Sequence, residues 1–227
     1  GSSGYEEAAA QGLIAGINAA LYVKGEEPLI LSRSESYIGV LADDLTVKGT
    51  KEPYRMMTSR AEFRLSLRQD NADMRLTPIG RRVGLVNDER YEAFLERKNR
   101  IENALDSLHK TKISFDRTKA IFAEKGLEEP IAPHSCFELL KRKEFSYGEI
   151  KKYAPELPEL SRADEVSVET EIKYDGYLKK QEAQIEQMRK LENKRLPENA
   201  DYASLSGLRL EARQKLDKLR PASIGQA

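Results

Sequence analysis

Seven arginines fall within residues 54–82: Arg55, Arg60, Arg64, Arg68, Arg75, Arg81 and Arg82, facing only Glu62, Asp70 and Asp73. Each guanidinium is a flat fork of donors that suits phosphate oxygens and can stack on an unpaired base. The whole chain is neutral, with 38 Lys+Arg against 38 Asp+Glu. A basic stretch inside it can supply a local field that draws a polyanion. The competing use is ion pairing, with Arg68 or Arg75 tied to Asp70 or Asp73. For any single arginine both readings stay open. Lys179, Lys180, Arg189, Lys190, Lys194 and Arg195 form a weaker group, interleaved with Glu182, Glu186 and Glu192 as on a solvated helix face.

The other reactive side chains suggest little chemistry. The single cysteine, Cys136, excludes an internal disulfide framework and a paired-cysteine metal clip, and reads as a buried or half-buried bystander thiol. His109 and His134 are too few for a histidine metal site. Asp43-Asp44 reads as turn chemistry. No Ser-His-Asp or paired-carboxylate spacing is present. No apolar run approaches the roughly 20 residues of a membrane span. The opening residues lack a charged-then-apolar leader pattern, so the expected compartment is the cytoplasm.

Helices must carry most of these groups, because aromatic residues make up 7% of the 227 and Trp is absent, leaving Leu, Ile, Ala and Val to build the core. Tyr5 to Ala20 is helical from its first residue, with Glu6 and Glu7 placed to complement the positive end of the helix dipole. Ala8, Ala9, Gly12, Ala15, Gly16 and Ala19 recur at three and four spacings and form a thin stripe for close packing. That stripe predicts a preceding domain, and Pro221 to Ala227 reads as the start of a further element.

Tyr37–Leu41 and Leu45–Val47 are the strand candidates. Phe63, Leu65 and Leu67 alternate at strand period, although Arg60, Arg64 and Arg68 also fit a helix. Thr77-Pro78 predicts a helix start that Gly84 closes. Asn87 or Asp88 caps a long helix to about Lys110. Short helices are expected over Ser135–Lys143 and Ser146–Tyr153. A single long amphipathic helix is expected from Val166 to Lys194, with Val168, Ile172, Leu178, Ile185, Met188 and Leu191 inward. Two short helices follow, at Tyr202–Leu205 and Leu208–Leu219.

Three stretches resemble the GidA/MnmG family, in order and across essentially the whole chain. The first is Gly1-x-x-Gly4-Tyr5-x-Glu7-Ala8-Ala9-Ala10-Gln11-Gly12-Leu13-Ile14-Ala15-Gly16. The second is Tyr54 to Leu65 with Arg68 to Thr77. The third is Lys173-Tyr174-Asp175-Gly176-Tyr177 with the Pro221–Ala227 ending. On this resemblance Gly1–Gly4 is native sequence, or an expression scar that matches it.

The resemblance implies a mainly α chain: the end piece of an α/β FAD-binding domain (residues 1–53), a basic connecting segment (54–84) and a helical domain (85–227). It implies that Gln11, through its amide, with Gly4, Tyr5 and Glu6, faces FAD. Flavoproteins of this type aim a helix N-terminus at the flavin oxygen that becomes electron-rich on reduction. The phosphate turn would lie upstream, so FAD is expected to bind weakly or not at all here, and the isolated chain is expected to be inactive. For the parent enzyme the resemblance implies NADH, methylenetetrahydrofolate, a homodimer, the GTPase MnmE and tRNA. Its reaction would place an aminomethyl or carboxymethylaminomethyl group on the wobble uridine. The seven arginines would then form a tRNA-facing patch. Cys136 matches neither of the cysteine positions associated with the family's chemistry. The alternative is a non-enzymatic helical module that binds RNA or protein.

Overall fold

The computed structural model describes residues 2–227, so Gly1 of the opening Gly-x-x-Gly pattern lies outside the described residues. Among those residues ten α-helices follow one another and no β-sheet forms. Three isolated bridges pin loops together: Ser2 with Tyr54, Lys112 with Ser135, and Arg195 with Ser223. The mainly helical expectation holds.

The first helix, α1 (Tyr5–Lys24), ends at Gly25, whose φ of 71° is the left-handed conformation that glycine adopts without strain. Its small-residue stripe is open: a Cβ added at Gly12 or Gly16 would meet nothing within 4 Å.

The strands expected at Tyr37–Leu41 and Leu45–Val47 are not present. Residues 37–43 form α2 (Tyr37–Asp43), and a single π turn continues it over Asp44–Lys48. Ser36 caps α2 by accepting the Gly39 N–H at 2.9 Å. Tyr37 and Val40, three apart, pack with Ala61 and Leu67. The β-branched residues suggested a strand, but tertiary packing overrode propensity. Gly39 is required by contact, because an added Cβ would lie 2.1 Å from the Ser32 carbonyl oxygen.

Residues 62–66 form turns, neither strand nor regular helix. The helix expected to begin at Thr77-Pro78 begins earlier, as α3 (Ala72–Arg82), with Pro78 inside it. Arg75 holds the turn ahead of the proline in place. Its Nε donates to Asn71 Oδ1 at 3.0 Å and its Nη2 to the Arg68 carbonyl at 3.0 Å.

The main core lies among α4 (Asp88–Lys110), α5 (Phe115–Glu124), α6 (Cys136–Leu140), α7 (Tyr147–Tyr153) and α8 (Arg162–Lys173). Asn87 caps α4 as expected, accepting the Arg90 N–H at 3.0 Å. Ser135 with Glu138 and Ser146 with Glu149 form capping boxes at α6 and α7, so two orphan N–H groups are satisfied at each start. Leu108, Leu139, Tyr147, Ile150 and Val168 are fully buried between these helices.

The single helix expected from Val166 to Lys194 is two, α8 and α9 (Asp175–Glu192), broken at Tyr174. Asp175-Gly176 is a poor helix-interior pair, and Asp175 instead starts α9, paired with Lys179 at 2.9 Å. Residues 202–204 bend without forming a helix, and α10 covers Leu210–Leu219. The chain end then returns to α9: Ile224 N–H donates to the Lys194 carbonyl and Leu196 N–H to the Ala222 carbonyl.

Arg97 on α4 joins α3 to α8. It donates to Asp73 at 2.6 Å, to Asp164 at 2.8 Å and to Ser167 Oγ at 3.0 Å, and the Asp164 side chain is only 2% exposed. Arg97→Ala strands a buried carboxylate with only the weaker Arg100 contact at 3.5 Å. We expect a loss of about 3 kcal/mol of unfolding free energy, read by urea titration.

Candidate functional site

Residues 2–7 and 54–56 lie side by side. The Ser3 N–H donates to the Tyr54 carbonyl at 2.9 Å, and the Met56 N–H donates to Glu7 Oε1 at 2.7 Å. Between α1, α2 and this segment lies a cleft of ≈ 350 Å³ lined by Glu6, Glu7, Ala10, Tyr37, Ile38, Leu41, Arg55 and Met56. Gly4 is the N-cap of α1 and supplies no side-chain cap, so the Tyr5 and Glu6 N–H groups keep their donor capacity. Gln11 stands one turn above Glu7. Its amide nitrogen donates to Ser2 Oγ at 2.7 Å and to the Glu7 carbonyl at 3.1 Å. Tyr5 is 94% exposed and does not line the cleft, whereas Glu6 does.

Gly4 has a steric reason to be glycine. A Cβ there would fall 1.8 Å from Glu7 Oε2 and 2.8 Å from Arg55 Nη1. The buried Glu7 carboxylate occupies the space that any other side chain would take. The Met56 N–H, followed by Glu7's own backbone N–H, holds its pKa below the ordinary 4.5.

The seven arginines divide by what they touch. Arg68 is held by Asp70 at 3.1 Å, Glu171 at 3.3 Å and the Leu65 carbonyl at 2.7 Å. Arg75 is half-buried on carbonyls, and burial, then Arg68, lowers its pKa. Arg81 reaches Asp88 and the Val86 carbonyl. Arg60 lies 4.5 Å over the Tyr54 ring and donates from Nε to the Arg55 carbonyl at 3.0 Å. Arg55 borders the cleft. Arg64 and Arg82 are exposed, with no side-chain partner among the described residues.

The segment that carries Arg55 and Arg60 is anchored by Arg33, which motif reading did not single out. Arg33 donates to Asp43 at 2.9 Å, Asp44 at 2.6 Å and Glu62 at 2.8 Å, and to the Arg60 carbonyl at 3.2 Å. Asp44 also accepts the Tyr54 hydroxyl at 2.8 Å. Asp43-Asp44, expected as turn chemistry, is instead an ion-pair element on continuous helix, at the junction of α2 and its π turn. Burial, then Asp44, pushes the Tyr54 phenol up to about 12. Nothing local to Arg33 marks it in the sequence, because Glu62 is 29 residues away.

The remaining candidates pack against neighbouring side chains. Cys136 is fully buried, and burial raises its thiol to about 11, leaving almost no thiolate near neutrality. His109 stacks on Phe137 at 3.8 Å between ring centres, and His134 lies 5.5 Å from the Phe122 ring. No group of three or more His, Cys, Asp or Glu suited to a metal occurs among the described residues. No described helix is long and apolar enough to cross a membrane.

A carboxyl whose pKa is depressed on folding stabilises the fold above its ordinary value near 4.5, and that contribution is lost as pH falls through the folded value. Glu7→Gln is therefore expected to narrow its stability gap to the parent chain between about pH 6 and about pH 3, in urea titrations at both. Gly4→Ala is expected to lower the melting temperature by expelling the Glu7 carboxylate from its seat.

Three family descriptions match the chain. The MnmG/GidA C-terminal helical domain covers residues 88–182, the MnmG/GidA C-terminal helical bundle 184–227, and glucose inhibited division protein A 1–27. A protein of Caldicellulosiruptor saccharolyticus named tRNA uridine 5-carboxymethylaminomethyl modification enzyme MnmG is 58% identical over 100% of this chain and 36% of that relative. One of the same name from Clostridium botulinum (strain Loch Maree) is 52% identical with the same coverage. The solved structure of Aquifex aeolicus GidA superposes with a TM-score of 0.80 at 38% identity, covering 100% of this chain and 35% of that one. The chain thus spans about a third of the length of the relatives it matches. Matches at both ends and through the middle, with agreement in fold, place it in the MnmG/GidA family, in the part that carries the C-terminal helical domains.

Proposed function

We propose that this chain is the helical part of a tRNA-modifying flavoenzyme that acts on the wobble uridine. The reaction is the addition of an aminomethyl or carboxymethylaminomethyl group at position five, carried out with the GTPase MnmE in the cytoplasm. FAD, NADH and methylenetetrahydrofolate serve the parent enzyme, which works as a homodimer. In this reading residues 1–53 complete the flavin domain, 54–84 connect, and 85–227 supply tRNA and partner surfaces. The observation that carries it is the juxtaposition of an uncapped α1 N-terminus with an arginine-bearing segment across one cleft, in a chain 58% identical to a relative of that name.

The residues present fit the end of a flavin. The open N–H groups at Gly4, Tyr5 and Glu6 complement an electron-rich oxygen, and Gln11 keeps its carbonyl oxygen for a donor. FAD, when bound, would supply electron transfer to and from the carbon being attached. The protein's own part is to orient and shield. α1 presents donors, Tyr37, Ile38 and Leu41 exclude water from the cleft, and Arg55, Arg60, Arg64 and Arg82 meet phosphates of an exposed anticodon loop. Arg68, Arg75 and Arg81 shape the segment between them.

The isolated chain is expected to purify colourless and to retard tRNA in a native gel at low salt, where phosphate contacts are strongest. An absorbance spectrum with full flavin occupancy would show the pocket to be misplaced. Absence of a shift would remove the arginine assignment. The Arg55→Ala, Arg60→Ala, Arg64→Ala combination is expected to lower the slope of log affinity against log salt by about 2–3.

A further inference from the structure

Arg55 stands apart from the other arginines because it is oriented without being consumed. Its side chain is 60% exposed, its Nε lies 3.9 Å from Glu7 Oε1, and it makes no side-chain hydrogen bond among the described residues. Glu7 is the opposite case. Its side chain is 5% exposed, Oε1 takes the Met56 N–H, and Oε2 is buried without a donor. A buried acceptor left unpaired is costly and persists where the surroundings hold it. Gly4 makes the pair possible by leaving empty the volume in which both groups sit. A guanidinium about 4 Å from a buried carboxylate is attracted to it, with the pull moderated by the solvent around the exposed Arg55 end. Its outward donors remain available, unlike those of Arg68, which two carboxylates occupy. Arg60, bonded to the Arg55 carbonyl, follows the same segment.

We infer that Glu7 is a positioning residue that aims the Arg55 guanidinium across the mouth of the α1 cleft. One buried carboxylate then sets a phosphate contact of the RNA patch beside the first turn of α1. The inference rests on the arginine reading proposed above, and the test separates the two. In the full-length protein containing this chain, the affinity for an unmodified tRNA transcript and its salt dependence are measured for Arg55→Ala, Glu7→Gln and the double variant. Flavin absorbance and melting temperature report folding.

Each single variant is expected to weaken binding by about three- to tenfold and to lower the salt slope by about one. The double variant is expected to match Arg55→Ala alone. Glu7→Asp keeps the charge on a shorter side chain and is expected to give an intermediate effect. It takes the place of Glu7→Gln in the cycle if that variant loses its fold. Glu7 effects that add fully to Arg55→Ala, or an unchanged salt slope in the Glu7 variant, would overturn the positioning role while leaving the arginine patch intact. Unchanged binding in Arg55→Ala would remove Arg55 from the patch, and the inference with it.

Discussion

The Arg33 guanidinium, with only 10% of its side chain exposed, sits among three carboxylates from two chain segments. A charge removed from water to this degree is tolerable only when its partners surround it, and losing one partner strands the others. Burial by itself would lower the Arg33 pKa, but the hydrogen bonds it donates to Glu62 and Asp44 raise it overall. Asp44 is in turn shared with Tyr54 and Lys48. The cluster therefore fixes the π turn, the start of the arginine-rich segment and Tyr54 together. Tyr54 receives Ser3 from the other side, so the beginning of α1 is located by the same network.

That constraint explains how an arginine-rich stretch remains ordered. Like charges close in sequence repel, and an unbraced loop would spread them into solvent. Here Arg68 and Arg75 are used as internal fasteners, and Ser66 is gripped through its N–H and hydroxyl by Gln181 of α9, at 2.8 and 2.7 Å. The cost of bracing is that these arginines have few donors left. Arg55, Arg60, Arg64 and Arg82 are left facing outward. The division of labour is thus set by which carboxylates the fold brings near, not by the arginine count.

The helical body of α4 to α8 does not line the α1 cleft but braces the elements around it. Arg97 links α3, α4 and α8, and the buried apolar residues of α4 to α8 make a core independent of the smaller cluster around Val40. The chain end also faces the Arg33 cluster across a second cleft. Ser223 and Gln226 share a cleft of ≈ 420 Å³ with Arg33, Asp43 and Arg195, so residues matched by the C-terminal bundle description border the Arg33 cluster.

The local signals that held were those whose physics is local. Asn87, Ser135 and Ser146 cap helices because their side chains reach an N–H three residues on, and the helix starts they mark are correct. The opening helix, the burial of Val168 and Ile172, and the inert setting of Cys136 were equally legible. The strand expected at Tyr37–Leu41 failed because β-branched residues fit either state, and packing against Ala61 and Leu67 chose the helix, while Leu45–Val47 continues it as a π turn. Thr77-Pro78 failed as a start because Arg75 stabilises the turn before it. The sequence alone determined a helical chain with a glycine-lined opening segment and a basic stretch, since composition, capping and charge act within a few residues. Only the tertiary structure decided that Glu7 is buried against Met56, that Arg33 gathers Asp43, Asp44 and Glu62, and which arginines stay available. Those contacts join residues up to 49 positions apart, and no short-range pattern encodes them.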